Sequence, residues 1–369
     1  MHIFFFSTSE DFSSYHRKRE VEAISEKLDG GCTFFNRPRF FLSSRNNKNV
    51  LAKSSSKVTE QELYTLLPLS IAFKHSLLLF LFVKLPILCQ LTLYRMKNDI
   101  SQSSLFHWIY KPDQFLYLPT DNLVYLQYDN YKDDKGYFYG RNDRFDETVE
   151  QCINTSLVSL FTSNRLLQQE NVKRSHSFYY PNAISRSLIN QNVPNNIVVK
   201  DSVTIGFIGQ IDNSFSSEIL ESIATQYPQY QIVLVGPVSN AKAQEVIDSH
   251  SNIIEKGYVP YEELSELIST FDIGICPYSF DTFNTYRNPL KVYEFFSYGL
   301  PVVCTNCDVD ENTKGYLSVT SSVDEFIQKI SYELTTNTVA KKHFRINFAK
   351  NNCWDNRADF VIQKLKAFT

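Results

Sequence analysis

Hydrophobic positions along this chain follow two arrangements: short apolar runs bounded by polar residues, and longer stretches with apolar residues at helical spacing. Residues 3–7 read as a strand, after which Val21, Ile24 and Leu28 recur as one face of a helix. A second strand is predicted over 33–35, and further short apolar runs cover 105–110, 123–128 and 157–162. A helix is predicted over 145–153. The second half repeats the alternation with strands over 203–208, 231–235, 273–276 and 301–304, the first three running into Gly209, Gly236 and Pro277. Spacings near thirty residues match right-handed βαβ units, so both halves predict mostly parallel sheets covered by helices. Glycine at the carboxyl end of such a strand lets a ligand approach the backbone.

These patterns divide the chain into a first α/β domain over 1–185, an Asn-rich linker over 186–202 that contains Pro194, and a second α/β domain over 203–343. A C-terminal helix over 344–369 carries Trp354 and is placed to cross back to the first domain. The opening residues 1–7 read as a buried strand and not as a secretory leader, because the apolar run is short and Glu10 and Asp11 follow it. Residues 70–94 are strongly apolar, but Lys74, His75 and Lys84 interrupt them and Pro86 is expected to break the helix. A membrane span wants about twenty mostly uncharged residues. Three readings stay open: a buried helix pair, a basic amphipathic surface resting on a membrane through residues 70–97, or, least favoured, a true span.

The chain has 369 residues, enough for two ordinary domains, and its 43% apolar and 21% charged composition is that of a globular protein. A net charge of −3 argues against sustained nucleic-acid binding. Cysteines at 32, 89, 152, 276, 304, 307 and 353 are odd in number and lack framework spacing, as expected of free thiols in a reducing cytoplasm. Cys304 and Cys307 form a lone C-x-x-C with no second pair to complete a zinc site, and read as core thiols.

The most informative stretch is Asn288-Pro289-Leu290-Lys291-Val292-Tyr293-Glu294-Phe295-Phe296-Ser297-Tyr298-Gly299-Leu300-Pro301-Val302-Val303. It predicts one short helix running into a strand, with Asn288 as N-cap, Pro289 at the first helical position and Gly299 as the left-handed residue past the end. Lys291 then falls in the first turn, where the helix dipole disfavours a cation unless an anion sits against the same end. Free amides plus an ammonium group make a phosphate site. Glu294, three residues on, is placed to accept hydrogen bonds from ribose hydroxyls; the alternative is an ordinary i, i+3 ion pair on a solvated helix.

This stretch resembles the P-x-K-x-x-E-x-x-x-x-G-x-P-V-V signature of GT-B glycosyltransferases, particularly those of teichuronic-acid, capsule and exopolysaccharide assembly. The likeness extends upstream through Ile205-Gly206-Phe207-Ile208-Gly209, Leu234-Val235-Gly236-Pro237, Gly257-Tyr258-Val259-Pro260 and Asp272-Ile273-Gly274-Ile275-Cys276-Pro277, in family order. It implies two Rossmann-like domains facing a cleft, and an enzyme that moves a sugar from a UDP- or GDP-linked donor to a glycan or lipid-linked acceptor. Donor contacts are then implied for Gly209, Tyr258, Val259, Asn288, Leu290, Lys291 and Glu294. The first half matches more loosely: Ser14-Tyr15-His16-Arg17-Lys18-Arg19 resembles the first strand-to-helix loop, which implies acceptor or phosphate contact for His16, Arg17 or Arg19. A helix studded with solvated charges explains the same residues.

An inverting transfer needs a base in the acceptor domain, and Asp129, ending the strand over 123–128, is the best placed. His16, Asp133 and Asp134 compete with it, and Asp129 as a simple turn cap is the alternative. Two features depart from the family pattern. Tyr286 stands where many retaining members carry a second glutamate, and Gln210-Ile211-Asp212 replaces the usual Arg/Lys pair after the first donor-domain glycine. Both leave Lys291 as the main cation for the diphosphate. Asp308-Val309-Asp310 is a literal D-x-D, but it follows the last strong strand in a polar loop, so no obligatory metal and no other cofactor is expected. The G-x-G-x-x-G, G-x-S-x-G and P-loop motifs are absent, which removes dehydrogenase, hydrolase and NTPase readings. A sugar-nucleotide epimerase of the same fold and a non-catalytic nucleotide-sugar-binding protein remain as alternatives.

Overall fold

A computed structural model describes residues 1–8, 11–43, 57–132, 145–169, 176–189 and 202–368. The chain forms two compact units, Met1–Tyr180 with Trp354–Thr369, and Pro181–Cys353. Residues 190–201 of the expected linker, and the alternative base candidates Asp133 and Asp134, lie outside the described residues.

Among the described residues, nine strands belong to the first unit: β1 (His2–Phe6), β2 (Cys32–Phe35), β3 (Arg39–Phe40), β4 (Val58–Gln61), β5 (Tyr64–Thr65), β6 (Leu105–Ile109), β7 (Leu123–Gln127), β8 (Val158–Phe161) and β9 (Ser177–Tyr179). Seven of them form one parallel sheet in the order β4-β2-β1-β6-β7-β8-β9, and β3 pairs with β5 separately. The Phe4-Phe5-Phe6 run is buried because β1 is central, with Phe4 opposite Thr33 of β2 and His107 of β6. Chain order reverses between β1 and β6, the kind of position at which open α/β sheets bind ligands at their carboxyl ends.

The second unit has β10 (Thr204–Ile208), β11 (Gln231–Val235), β12 (Ile253–Glu255), β13 (Ile273–Cys276), β14 (Val302–Thr305) and β15 (Ser318–Thr320), all parallel, in the order β12-β11-β10-β13-β14-β15. Side-chain alternation sends Ile205, Phe207, Ile232 and Ile275 into one core and Ile208, Val235, Cys276 and Cys304 into the other, one on each face. Here the order reverses between β10 and β13. Two Rossmann-like α/β units are therefore present.

Two expectations change. The single C-terminal helix over 344–369 is two helices, Val339–Asn351 and Trp354–Lys366, and only the second belongs to the first unit, where it packs on the Lys18–Glu26 helix. The break falls where the Asn352 carbonyl accepts a hydrogen bond from the Ile184 amide at 3.0 Å instead of continuing the helical ladder.

The apolar segment after residue 70 is not a buried helix pair. It holds one continuous helix, Ser76–Lys97, of which 17% of the most apolar window is buried. By length and composition alone this helix is long enough and apolar enough to cross a membrane, so the charges around it do not interrupt it as expected. Pro86 sits inside it without ending it. Proline has no amide to offer the Phe82 carbonyl, and that carbonyl accepts from the Leu66 amide at 2.8 Å, while Phe80–Lys84 widen into a π turn.

Candidate functional site

The Leu290–Ser297 helix of the second unit starts one residue later than its sequence suggests, with Pro289 in the cap position and Lys291 as the second helical residue. Asn288 does not cap it. Its Oδ1 accepts hydrogen bonds from the Asn182 amide (3.1 Å) and the Tyr293 hydroxyl (3.3 Å), and its Nδ2 donates to the Asp308 carbonyl (3.0 Å), so it pins the helix start to two neighbouring segments. Leu290 is half-buried at the first helical position. No side chain caps the helix, and of its first-turn amides that of Val292 donates to the Pro289 carbonyl at 3.2 Å. At the other end Gly299 takes the left-handed conformation (φ 71°) expected of the residue past the cap.

Lys291 reaches from this helix across the turn after β10. Gly209 has φ 130°, and a Cβ added there would lie 2.5 Å from Lys291 Cε and 2.7 Å from its Nζ, so the glycine makes room for the lysine. The ammonium donates to the Tyr278 hydroxyl at 3.2 Å and lies 5.2 Å from the Phe207 ring centre. Burial opposes its charge, but Tyr278 and Cys276 favour it, and its pKa lies above the ordinary lysine value. Arg287 stacks 4.7 Å over the same Tyr278 ring and donates to Ser214 Oγ at 3.2 Å. Two cations therefore converge beside the β10 turn at the point where strand order reverses.

Glu294 is buried, and its carboxylate has no hydrogen-bond partner among the described residues. The i, i+3 ion pair that the spacing allows is not formed: neither Lys291 nor Glu294 makes a salt bridge there. Burial raises the Glu294 pKa to about 7, with Lys291 pulling the other way. A buried carboxylate without donors is costly, and the cost falls when a ligand brings hydroxyl donors. The Gly257-Tyr258-Val259 segment follows β12, and its Gly257 carbonyl accepts from the Gly236 amide at 2.7 Å. Tyr258 is 78% exposed, while Val259 packs partly on the core. Asp310 accepts from the Asn312 amide at 2.9 Å and so caps the Glu311–Thr313 turn.

The first unit gathers polar aromatics at the carboxyl ends of β1, β6 and β7. His16 lies 5.4 Å from the Tyr128 ring, and Tyr128 lies 5.7 Å from Tyr131. Asp129 is half-buried two residues past β7, and its carbonyl accepts from the Tyr131 amide at 3.0 Å. His16 keeps an exposed ring, yet the surrounding protein and the cations Arg17 and Lys111 lower its pKa, which holds it neutral. Arg17 is buried and forks onto Glu20, with Nε to Oε2 at 2.7 Å and Nη2 to Oε1 at 3.0 Å. It also lies 5.3 Å over Trp354, which ties the C-terminal helix into this unit. Arg19 donates to Glu22 Oε2 at 3.0 Å. The structure thus groups His16 with Asp129's neighbours and commits both arginines to carboxylates on their own helix.

Tyr278 and Arg287 were not singled out by the sequence. The available signal was position: Tyr278 follows β13 by two residues at the carboxyl end, as Gly209 follows β10.

The chain has the GT-B architecture, and residues 202–336 of its second unit match the family model described as Glycosyl transferases group 1. Among curated proteins it is similar to TuaH of Bacillus subtilis (strain 168), named for teichuronic acid biosynthesis glycosyltransfer, at 30% identity over 122 residues. That match spans 32% of this chain and 30% of TuaH. Among solved structures, sucrose-phosphate synthase from Thermosynechococcus elongatus is similar over 100% of both chains, with a TM-score of 0.72 and 13% identity. The lipopolysaccharide outer core galactosyltransferase WaaB in its apo form gives 0.67 and 12%, again over 100% of both chains. Anabaena HepE in complex with UDP and glucose gives 0.66 and 12% over 100% of both. At these identities the structures establish the shared fold.

Proposed function

We propose that the protein is a glycosyltransferase that moves a sugar from a UDP- or GDP-linked donor to a glycan or lipid-linked acceptor in bacterial surface polysaccharide biosynthesis. The observation that carries this reading is Glu294, a buried carboxylate lacking hydrogen-bond donors one turn along from Lys291. A nucleoside diphosphate supplies what both residues lack, ribose hydroxyls for one and phosphate oxygens for the other. Similarity to TuaH and to HepE, whose structure holds UDP and glucose, supports the same reading.

In this reaction the acceptor hydroxyl attacks the anomeric carbon, and the bond from that carbon to the nucleoside diphosphate breaks. Lys291 and the uncapped N-terminus of its helix stabilise negative charge on the departing diphosphate, with Arg287 beside them, so no metal is required. In an inverting transfer Asp129 takes the acceptor's proton. Both donors and reaction belong to the cytoplasm, at the inner face of the plasma membrane.

Incubating the protein with UDP- and GDP-sugars in EDTA tests the proposal. Release of nucleoside diphosphate, with sugar transfer or slow hydrolysis, is the expected outcome. Interconversion of sugars without release identifies an epimerase, and binding without turnover a non-catalytic protein; either result overturns the reading.

A further inference from the structure

The Ser76–Lys97 helix carries apolar residues on two opposite sides. Val83, Ile87 and Leu91, at i, i+4 and i+8, are buried in the first unit. Leu77, Leu81, Leu85, Cys89 and Leu93 recur every four residues on the opposite side and are all exposed. Leu77 is 66% and Leu93 67% exposed, far beyond the scattered apolar residues of an ordinary surface. Apolar stripes on two opposite sides of a helix both call for apolar surroundings, and this helix has a core on one side only.

The apolar surface continues past the helix. Leu66 and Ile71 are exposed on the segment that joins β5 to it, and that segment is fastened to the helix by the Leu66 amide on the Phe82 carbonyl (2.8 Å). The Gln90 side chain also holds both the amide and carbonyl of Tyr64, at 3.0 and 2.7 Å. Exposed Phe41 and Leu42 follow β3, the partner of β5. Charge along the segment itself has one sign, with Glu62 and Asp99 just outside it. From Leu63 to Asn98 there is no Asp or Glu, and Lys74, Lys84, Arg95 and Lys97 border the apolar stripe.

We propose that this face of the first unit docks flat on an anionic lipid bilayer, the outer leucines among the acyl chains and the four cations at the headgroups. Twenty-two residues would reach about 33 Å, enough to span. Spanning would, however, pull Val83, Ile87 and Leu91 out of the core they fill, so the helix lies in the interface plane. A two-fold contact with a second copy would set four cations against four with no carboxylate between them, whereas an anionic surface complements them. Because β3 and β5 follow the carboxyl ends of β2 and β4, the docked surface borders the end of the sheet that carries His16 and Asp129. The inference stands independently of the transfer reaction.

Cys89 is the exposed thiol and the other six are buried, so it accepts an environment-sensitive fluorophore selectively. The labelled protein should float with vesicles of phosphatidylglycerol and phosphatidylcholine, and its emission should shift to the blue. Binding should fall roughly tenfold or more on phosphatidylcholine alone or in high salt. The double variant Leu81→Asp, Leu85→Asp changes exposed positions only, and should lose vesicle binding while keeping the wild-type circular dichroism and thermal midpoint. Failure of the wild type to float with the anionic vesicles overturns the proposal. Flotation with unchanged Cys89 emission places the contact elsewhere, and resistance to alkaline carbonate extraction indicates a span; each also overturns it. So does a lipid-free dimer that the double variant converts to monomer.

Discussion

Lys291 is half-buried, and the Tyr278 hydroxyl holds its ammonium. The hydroxyl fixes its direction without neutralising it, which suits a group that meets charge developing on a leaving diphosphate. Lys291→Ala should therefore lower kcat by roughly two orders of magnitude or more. Gly209 keeps its backbone and the helix its core face, so the thermal midpoint should stay within about 3 °C of wild type. Steady-state kinetics and a thermal melt check both parts. Glu294 predicts a pH dependence. Its folded pKa of about 7 lies above the unfolded value of 4.5, so the folded state holds the proton more tightly. Its stabilising effect is fully present below pH 4.5 and is lost as pH rises through about 7. Glu294→Gln should flatten that fall, which urea titrations across the range will show. In the wild type, donor hydroxyls prefer the ionised carboxylate, so nucleotide affinity should rise with pH over the same interval, and calorimetry of the glutamine variant should lose that slope.

Elements were legible in proportion to how apolar they are. The runs around Phe4-Phe5-Phe6, Leu123 and Val233 reappear as central strands because a strand buried on both faces must be continuously hydrophobic. The edge strands β4, β9, β12 and β15 escaped notice, since Val58–Gln61 and Ser318–Thr320 are short and largely polar. The Leu290–Ser297 helix was read correctly at its glycine end and one residue early at its start, where Asn288 bonds across to Asn182 and Asp308 in place of its own helix. The C-terminal pair shows the same limit: no periodicity reveals that a chain changes unit between Asn352 and Trp354. Val361, Leu365 and Ala358 of the last helix are buried in the first unit. Truncation after Cys353 should therefore destabilise that unit by several kcal/mol, since it removes multiple core side chains worth about 2 kcal/mol or more each. A lowered first transition in urea, with the second unit's transition unmoved, is the expected result.

At the scale of the whole molecule the proposed reaction draws on both units. Its proposed donor groups lie at the β10 turn of the second unit, and the candidate base Asp129 lies past β7 of the first. Asp129→Asn should thus cut transfer by about two orders of magnitude or more while UDP affinity survives, whereas Lys291→Ala and Glu294→Gln act on the nucleotide. Retained transfer by the asparagine variant, or a product of retained configuration, moves the base elsewhere. By itself the sequence determined the α/β class, the repeat of two Rossmann-like units and the Lys291–Glu294 pair, because periodicity and helix-end chemistry are local properties of the chain. Only the tertiary structure decided which charges are spent and which are available. Arg17 and Arg19 turn to Glu20 and Glu22, Lys291 avoids Glu294, and the leucines of Ser76–Lys97 face outward. Those outcomes depend on what each side chain meets across the fold, and burial and partnership are set by neighbours distant in sequence.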